Sequence, residues 1–145
     1  MNHTLMFSIH SMGLRRPPGP YRIATYLRQH GWDAEVIDYT LSWDDEELKE
    51  LVRSRVTSKT VFIGFGCFFY YWTPKMDAFV AWLKQEYPNI KTVIGGQSRA
   101  IMRTEGIDYY IHGYGEKAIL ELANSLVGNA SIKLMYDPLF FGSKK

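Results

Sequence analysis

Short apolar runs alternate with amphipathic segments along most of the chain, and this alternation constrains the fold more than any other feature. The apolar runs predict five strands, at residues 4–9, 34–37, 60–65, 91–94 and 108–111. Strands that are separated by helices form a parallel sheet that is covered on both faces. Right-handed crossovers then favour a doubly wound α/β sheet with strand order 2-1-3-4-5.

Helix signals fill the intervals between these strands. Pro20 suits the first turn of a helix, because its missing N–H would be unpaired there. Asp44 is expected to cap the next helix, and Thr73 and Pro74 are expected to start the one after it. The connection before the fifth strand is short, at residues 99–103, and a last helix is expected over Glu116–Leu126. The predicted topology is that of a flavodoxin-like domain.

The length of 145 residues argues for one domain, which we expect to span residues 1–128, followed by a linker or docking tail at 129–145. The single cysteine, Cys67, excludes an intramolecular disulfide and a cysteine-rich metal site. The sequence shows no signal-peptide pattern and no apolar run of ~18 residues, so we expect no membrane contact and a cytoplasmic location. The net charge of +2 is too small to indicate nucleic-acid binding.

Glycines concentrate where the predicted strands end. In this kind of sheet a ligand binds beyond the carboxyl ends of the strands, and glycine lets a bulky ligand approach the backbone there. The simpler alternative is that each glycine only permits a tight turn between a strand and a helix. The positions are Gly13, Gly66, Gly95, Gly96, Gly113 and Gly115.

The segment GCFFYYW, at residues 66–72, is expected to form an aromatic loop at the same edge. Such a loop suits a large cofactor or a partner protein, or its side chains fold back beneath the sheet. Two other kinds of domain, a dinucleotide-binding domain and a phosphorylated receiver domain, are disfavoured. The G-x-G-x-x-A pattern at residues 113–118 follows the last strand instead of the first, unlike a dinucleotide site, and a phosphorylated receiver domain would need a carboxylate where Gly66 stands.

Four segments, GPYRIATYLRQHGWDAEVIDY, VFIGFGCFFYYW, KTVIGGQSRA and DYYIHGYGEKAILEL, resemble in order the cobalamin-binding N-terminal domain of B12-dependent radical SAM enzymes. The resemblance covers residues 19–126. Its most specific parts are the paired glycines after the fourth strand and the pattern formed by Asp108, Gly113, Gly115 and Glu116. The resemblance implies that cobalamin lies against the carboxyl edge of the sheet.

The chain departs from this family in two respects. Its single cysteine cannot build the iron–sulfur cluster of the radical SAM barrel, so no complete active site and no catalytic residue are expected in this chain. A barrel would then be supplied by a separate chain or by a lost downstream segment. In addition, Gly66 and Cys67 stand where the family often has Ser or Thr.

We therefore expect a cobalamin-binding module that is not catalytic alone. Glycines would give close approach to the corrin, Gln97 and backbone N–H groups would bind its amide arms, and Glu116 would cap the last helix. The predicted cofactor-binding residues are Gly66, Cys67, Gly95, Gly96, Gln97, Gly113, Tyr114, Gly115 and Glu116. Two alternatives remain open: an interaction module that has lost the cofactor, and a flavin-binding domain of the same topology.

The segment FSIHSMG raises the question of a cobalt ligand. Ser8, His10 and Gly13 have the spacing of the family's Asp-x-His-x-x-Gly loop, with Ser in place of Asp. A ligating imidazole needs an acceptor for its second nitrogen, and a serine brings no charge that would make it a better donor to the metal. We interpret the spacing as an accident or a relic and predict no metal ligand in this chain.

Overall fold

A parallel sheet of five strands forms the centre of the protein in the computed structural model, which describes residues 1–9, 18–67, 73–96, 105–112 and 115–128. The strands are β1 (His3–Ser8), β2 (Asp33–Ile37), β3 (Thr60–Cys67), β4 (Lys91–Gly96) and β5 (Tyr109–His112). The helices are α1 (Pro18–Gln29), α2 (Asp45–Arg55), α3 (Pro74–Glu86) and α4 (Glu116–Leu126), and a short 3-10 turn covers Thr40–Ser42.

The strand order is β2-β1-β3-β4-β5, and all neighbouring strands run parallel. This confirms the fold predicted from the sequence. The predicted helix starts are also close to the observed ones. Asp44 forms a capping box with Glu47 at the start of α2, and the Thr73 hydroxyl accepts from the backbone N–H of Met76 at the start of α3.

The end of β3 differs from the prediction. Gly66 and Cys67 were expected in a loop, but they continue the strand and pair with Gly95 and Gly96 of β4, while Gly66 also pairs with Ser8 of β1. Glycine is a poor strand former, which is why the sequence predicted an end there. Ladder partners on both sides outweigh that preference. The predicted connection at 99–103 and the tail at 129–145 lie outside the described residues.

Two separate apolar cores lie on the two faces of the sheet, because successive side chains of a strand point to opposite faces. One core packs Phe7, Ile63 and Phe65 against α2 and α3. The other packs Met6, Phe62, Val93 and Ile111 against α1 and α4. The second core is incomplete at the carboxyl end of the strands, where it opens into a groove.

Candidate cofactor-binding groove

The groove has a volume of about 300 Å³ and lies between α1, α4 and the sheet. Its walls come from Pro20 and Ile23 of α1 and from Glu116 and Ile119 of α4. This volume is at the lower limit for small-molecule sites in proteins. The floor is formed by Met6, Gly64, Gly66, Val93, Gly95 and Ile111.

The strand register explains why three floor positions without side chains lie close together. Gly64 and Gly66 are two residues apart in β3, so both face the groove. Gly66 pairs directly with Gly95 of the neighbouring strand, and Gly95 pairs with Ile111 of β5. Two adjacent strands therefore have no side chain at neighbouring positions near their carboxyl ends.

Gly64 and Gly66 make room for other parts of the protein. A Cβ atom at Gly64 would lie 2.7 Å from both Sδ and Cε of Met6, so the thioether of Met6 occupies the space above Gly64. A Cβ atom at Gly66 would lie 2.7 Å from Cγ of Pro20, in the first turn of α1. Gly66 thus allows α1 to approach the sheet closely.

Gly95 and Gly96 have different roles. Among the described residues, a Cβ atom at Gly95 would meet the carbonyl oxygen of Ile111, at 3.5 Å, and Cβ of Ile111, at 3.9 Å, and both are ordinary contacts. The described residues therefore leave space for a Cβ atom at position 95, which lines the groove. Gly96 has φ 143°, a backbone conformation that other residues rarely adopt. This conformation explains why position 96 is a glycine.

Gly115 and Glu116 bring the start of α4 to the groove. A Cβ atom at Gly115 would lie 3.0 Å from Cγ2 of Ile111, so the helix begins in close contact with β5. Glu116 is the first residue of α4, where a carboxylate interacts favourably with the helix dipole. Its Oε2 also lies 2.8 Å from Nη2 of Arg22 in α1. This ion pair joins the two helices that flank the groove.

A second contact holds α1 at the carboxyl edge. The hydroxyl of Tyr21 donates a hydrogen bond to Oδ2 of Asp38, which follows β2. The indole N–H of Trp43 donates to the carbonyl of Asp38 at 3.0 Å. The wall that α1 contributes is therefore hydrogen-bonded to the end of β2 and also contacts α4.

Asp108, part of the motif that carried the resemblance, lies at the opposite edge of the sheet. Its Oδ2 accepts from the backbone N–H of Thr92 at 2.9 Å and from Nζ of Lys84 at 2.8 Å. These bonds fix the start of β5 beside β4 and α3. Burial, and secondarily the Asp108 carboxylate, raise the pKa of Tyr109. Asp108 therefore does not line the groove, and it affects the groove only by fixing the start of β5.

Five of the nine predicted binding residues, Gly66, Gly95, Gly96, Gly115 and Glu116, line the groove. Cys67 ends β3 opposite Gly96. The predicted residues Gln97, Gly113 and Tyr114, the aromatic residues 68–72 and His10 lie outside the described residues.

Met6, Gly64 and Arg22 also line the groove but were not predicted from the sequence. The signal for Gly64 was its spacing of two from Gly66, which in a strand places both on one face. Met6 and Arg22 carry no such signal, because only the folded chain brings them to the groove.

Two negative observations apply to the described part of the chain. No group of three or more His, Cys, Asp or Glu residues there could hold a metal ion. No helix there is long and apolar enough to cross a membrane.

An all-parallel sheet in this order, with a groove at the carboxyl ends of its strands, defines a ligand-binding domain of the flavodoxin-like class. The family model of the B12 binding domain matches residues 9–123. The chain therefore belongs to the B12 binding domain family.

Solved structures of one enzyme share the fold. The radical S-adenosylmethionine methyltransferase TsrM from Kitasatospora setae, with tryptophan substrate and a SAM analog bound, matches with a TM-score of 0.69 at 20% identity. A structure of TsrM with cobalamin and a [4Fe-4S] cluster bound matches with a TM-score of 0.64 at 19% identity. Each match covers 90% of this chain, which spans about a quarter of TsrM (27% and 26%). A search of curated proteins found no match.

Proposed function

We propose that this chain binds cobalamin at the carboxyl edge of its sheet and acts as a binding module that is not catalytic alone. The observation that carries the proposal is the space at Gly95. Among the described residues alanine would fit there sterically, and it would favour a strand, so these residues give no reason for glycine. A ligand that lies against the backbone at this position does give a reason. Membership of the B12 binding domain family favours cobalamin over a flavin or a lost cofactor.

The groove fits one part of cobalamin. A volume of about 300 Å³ is too small for the corrin macrocycle with its amide arms, but it suits the bicyclic base of the nucleotide. The corrin would then lie outside the groove, along the rim at Gly66 and Gly95. When bound, cobalamin supplies cobalt-centred group transfer.

The residues of this chain would bind and orient the cofactor. The backbone at Gly95 would give close approach, and α1 and α4 would enclose the base. Gln97, Gly113 and Tyr114 remain proposed contacts for the corrin, as does Cys67. Burial of the base would remove apolar surface from water at roughly 25 cal/mol per Å².

We further propose that the module works with a radical SAM barrel in the cytoplasm. TsrM is a radical S-adenosylmethionine methyltransferase, and this chain spans only about a quarter of it (27%). The single cysteine of the chain cannot form a [4Fe-4S] cluster alone. A barrel on another chain, or in further sequence, would supply that chemistry, with residues 129–145 as the linker or docking segment.

Equilibrium dialysis with hydroxocobalamin tests the proposal. We expect retention at tens of micromolar or below, which corresponds to about −6 kcal/mol or better. Gly95→Ala should weaken binding moderately, and Gly95→Val should weaken it at least tenfold, because the added carbons would occupy the groove.

Thermal unfolding of the same variants supplies the control. Gly95→Ala should unfold at or above the temperature of the wild type, since a Cβ atom there meets only ordinary contacts among the described residues. Failure of the wild-type protein to retain hydroxocobalamin would overturn the proposal. Retention of FMN or FAD instead would favour a flavin site.

A further inference from the structure

We infer that Arg28 blocks the outer edge of β2 and so prevents this strand from pairing with β2 of a second copy of the chain. The guanidinium of Arg28, in the last turn of α1, occupies a backbone acceptor that such pairing needs. The inference concerns self-association, goes beyond the proposed function and does not depend on cofactor binding.

β2 lies at one end of the sheet. It is the first strand in the order β2-β1-β3-β4-β5 and, among the described residues, it pairs with β1 on one side. The backbone groups on its other side are directed away from the sheet. An edge of this kind is a template for a strand of another chain, and proteins commonly protect it with a charged side chain.

The hydrogen bonds show which residues of β2 present these outward groups. The N–H of Asp33 donates to the carbonyl of Asn2, at 2.8 Å, so the backbone of Asp33 faces the β1 side. In a parallel pair every second residue directs its N–H and C=O groups at the neighbouring strand. Glu35 therefore faces β1 as well, whereas Ala34 and Val36 present their backbone groups on the outer side.

Arg28 covers the first of these two outward residues. Its Nε and Nη2 both donate to the carbonyl oxygen of Ala34, at 2.9 and 2.6 Å. A carbonyl oxygen has two lone pairs, so this fork engages its whole accepting capacity. Ala34 is only 2% exposed although it lies in an edge strand. An added strand would have to displace the guanidinium before its own N–H could reach Ala34.

The turn between α1 and β2 places Arg28 at this carbonyl. Gly31 has φ 90°, and the N–H of Trp32 donates to the carbonyl of Leu27 at 3.0 Å, so the chain reverses directly after the helix. β2 then runs back beside the last turn of α1. The fold itself therefore positions the guanidinium over the outer edge of β2.

The charges of β2 allow it to pair with a second copy of itself. Two such strands related by a two-fold axis run antiparallel, and each contact between them is formed twice. If Val36 lies opposite Val36 of the second copy, Glu35 lies opposite Ile37, and no like charges face each other. In this register the carbonyl of Ala34 must accept an N–H of the second copy. Arg28 blocks that bond in both copies.

Sedimentation equilibrium of Arg28→Met tests the inference, because methionine keeps an apolar stem and removes both donors. The self-association constant should rise about tenfold or more above that of the wild type, since a two-fold pair regains one acceptor in each copy. Arg53→Met is the matched control. It removes the same charge from a side chain of α2 that is 44% exposed and should leave the constant unchanged. Equal increases in the two variants would assign the effect to net charge and overturn the inference.

Hydrogen exchange then locates the contact. In Arg28→Met, exchange of the Val36 N–H should slow as the protein concentration rises. Adding Val36→Pro removes this outward donor, which an edge strand tolerates, and should return self-association to the level of the wild type. Self-association that persists in the double variant would overturn the inference, as would a folded Arg28→Met that associates no more than the wild type.

Circular dichroism establishes that each variant is folded. If Arg28→Met does not fold, Arg28→Lys decides the question. Lysine keeps the charge but replaces the rigid fork by a flexible point donor, so self-association should rise about threefold or more. An unchanged association constant in Arg28→Lys would then overturn the inference.

Discussion

The ring of Pro20 lies directly above the α-carbon of Gly66: a Cβ atom added to Gly66 would be 2.7 Å from Cγ of the proline. The first turn of α1 can approach β3 this closely only because residue 66 has no side chain. Gly95, the register partner of Gly66 in the next strand, meets no such obstacle. The two glycines thus serve different purposes, and substitution separates them.

Gly66→Ala should lower the free energy of unfolding by about 1–3 kcal/mol, because the rigid proline ring and the helix must move outward. Gly95→Ala should leave the free energy unchanged or raise it by about 0.5–1 kcal/mol, since alanine favours a strand more than glycine does. Urea denaturation of the two variants measures both effects. Equal destabilisation by the two substitutions would contradict the contacts described for these glycines.

The ion pair between Arg22 and Glu116 should contribute little to stability. Because the Arg22 side chain is 60% exposed, the coupling energy from a double-mutant cycle with Arg22→Ala and Glu116→Ala should be below about 1 kcal/mol. That coupling should shrink further at high salt. A coupling above about 2 kcal/mol that persists in high salt would mean that the pair holds α1 and α4 together.

Asp108 should matter for stability despite its distance from the groove. Asp108→Ala removes the acceptor of the backbone N–H of Thr92, a residue that is 1% exposed, and leaves Lys84 without its carboxylate. The expected loss is about 1–3 kcal/mol, the range for an unsatisfied buried donor. Asp33→Ala, at an exposed position of β2, is the control and should change the free energy by less than about 0.5 kcal/mol.

Tyr109 should make the protein less stable in alkali. Burial, followed by the Asp108 carboxylate, raises the pKa of Tyr109 above its ordinary value of about 10, so the unfolded chain releases this proton at a lower pH than the folded chain. The stabilising contribution is therefore complete below about pH 10 and is lost as the pH rises towards the folded-state pKa. Tyr109→Phe should reduce the slope of stability against pH in this range, measured by urea denaturation at several pH values. A slope unchanged by the substitution would contradict this assignment.

The strand order was predictable because it follows from the alternation of strands with helices and from the right-handedness of their crossovers. Local sequence patterns reveal the alternation. The helix starts at Asp44 and Thr73 were predictable for the same reason, since a cap is a local interaction. The end of β3 was not. Gly66 and Cys67 remain in the strand because of partners in β1 and β4, and those partners are distant in sequence.

The candidate site was predictable in outline only. Clustered glycines indicated the edge of the sheet at which the groove lies, because strand ends converge there whatever the side chains are. The different roles of Gly64, Gly66 and Gly95 depend on what an added Cβ atom would meet: Met6 at Gly64, Pro20 at Gly66, and only ordinary contacts with Ile111 among the described residues at Gly95. Those neighbours come from β1 and α1, and no local pattern in the sequence records such contacts.

The incomplete core on the α1 and α4 side has a consequence for the lifetime of the protein in a cell. A base that fills the groove would complete this core, so binding and folding are thermodynamically linked. At a cofactor concentration of 100 times Kd, such linkage adds about 2.7 kcal/mol to the folded state. Cellular proteases act on the unfolded fraction, so the abundance of this chain would follow the supply of its cofactor.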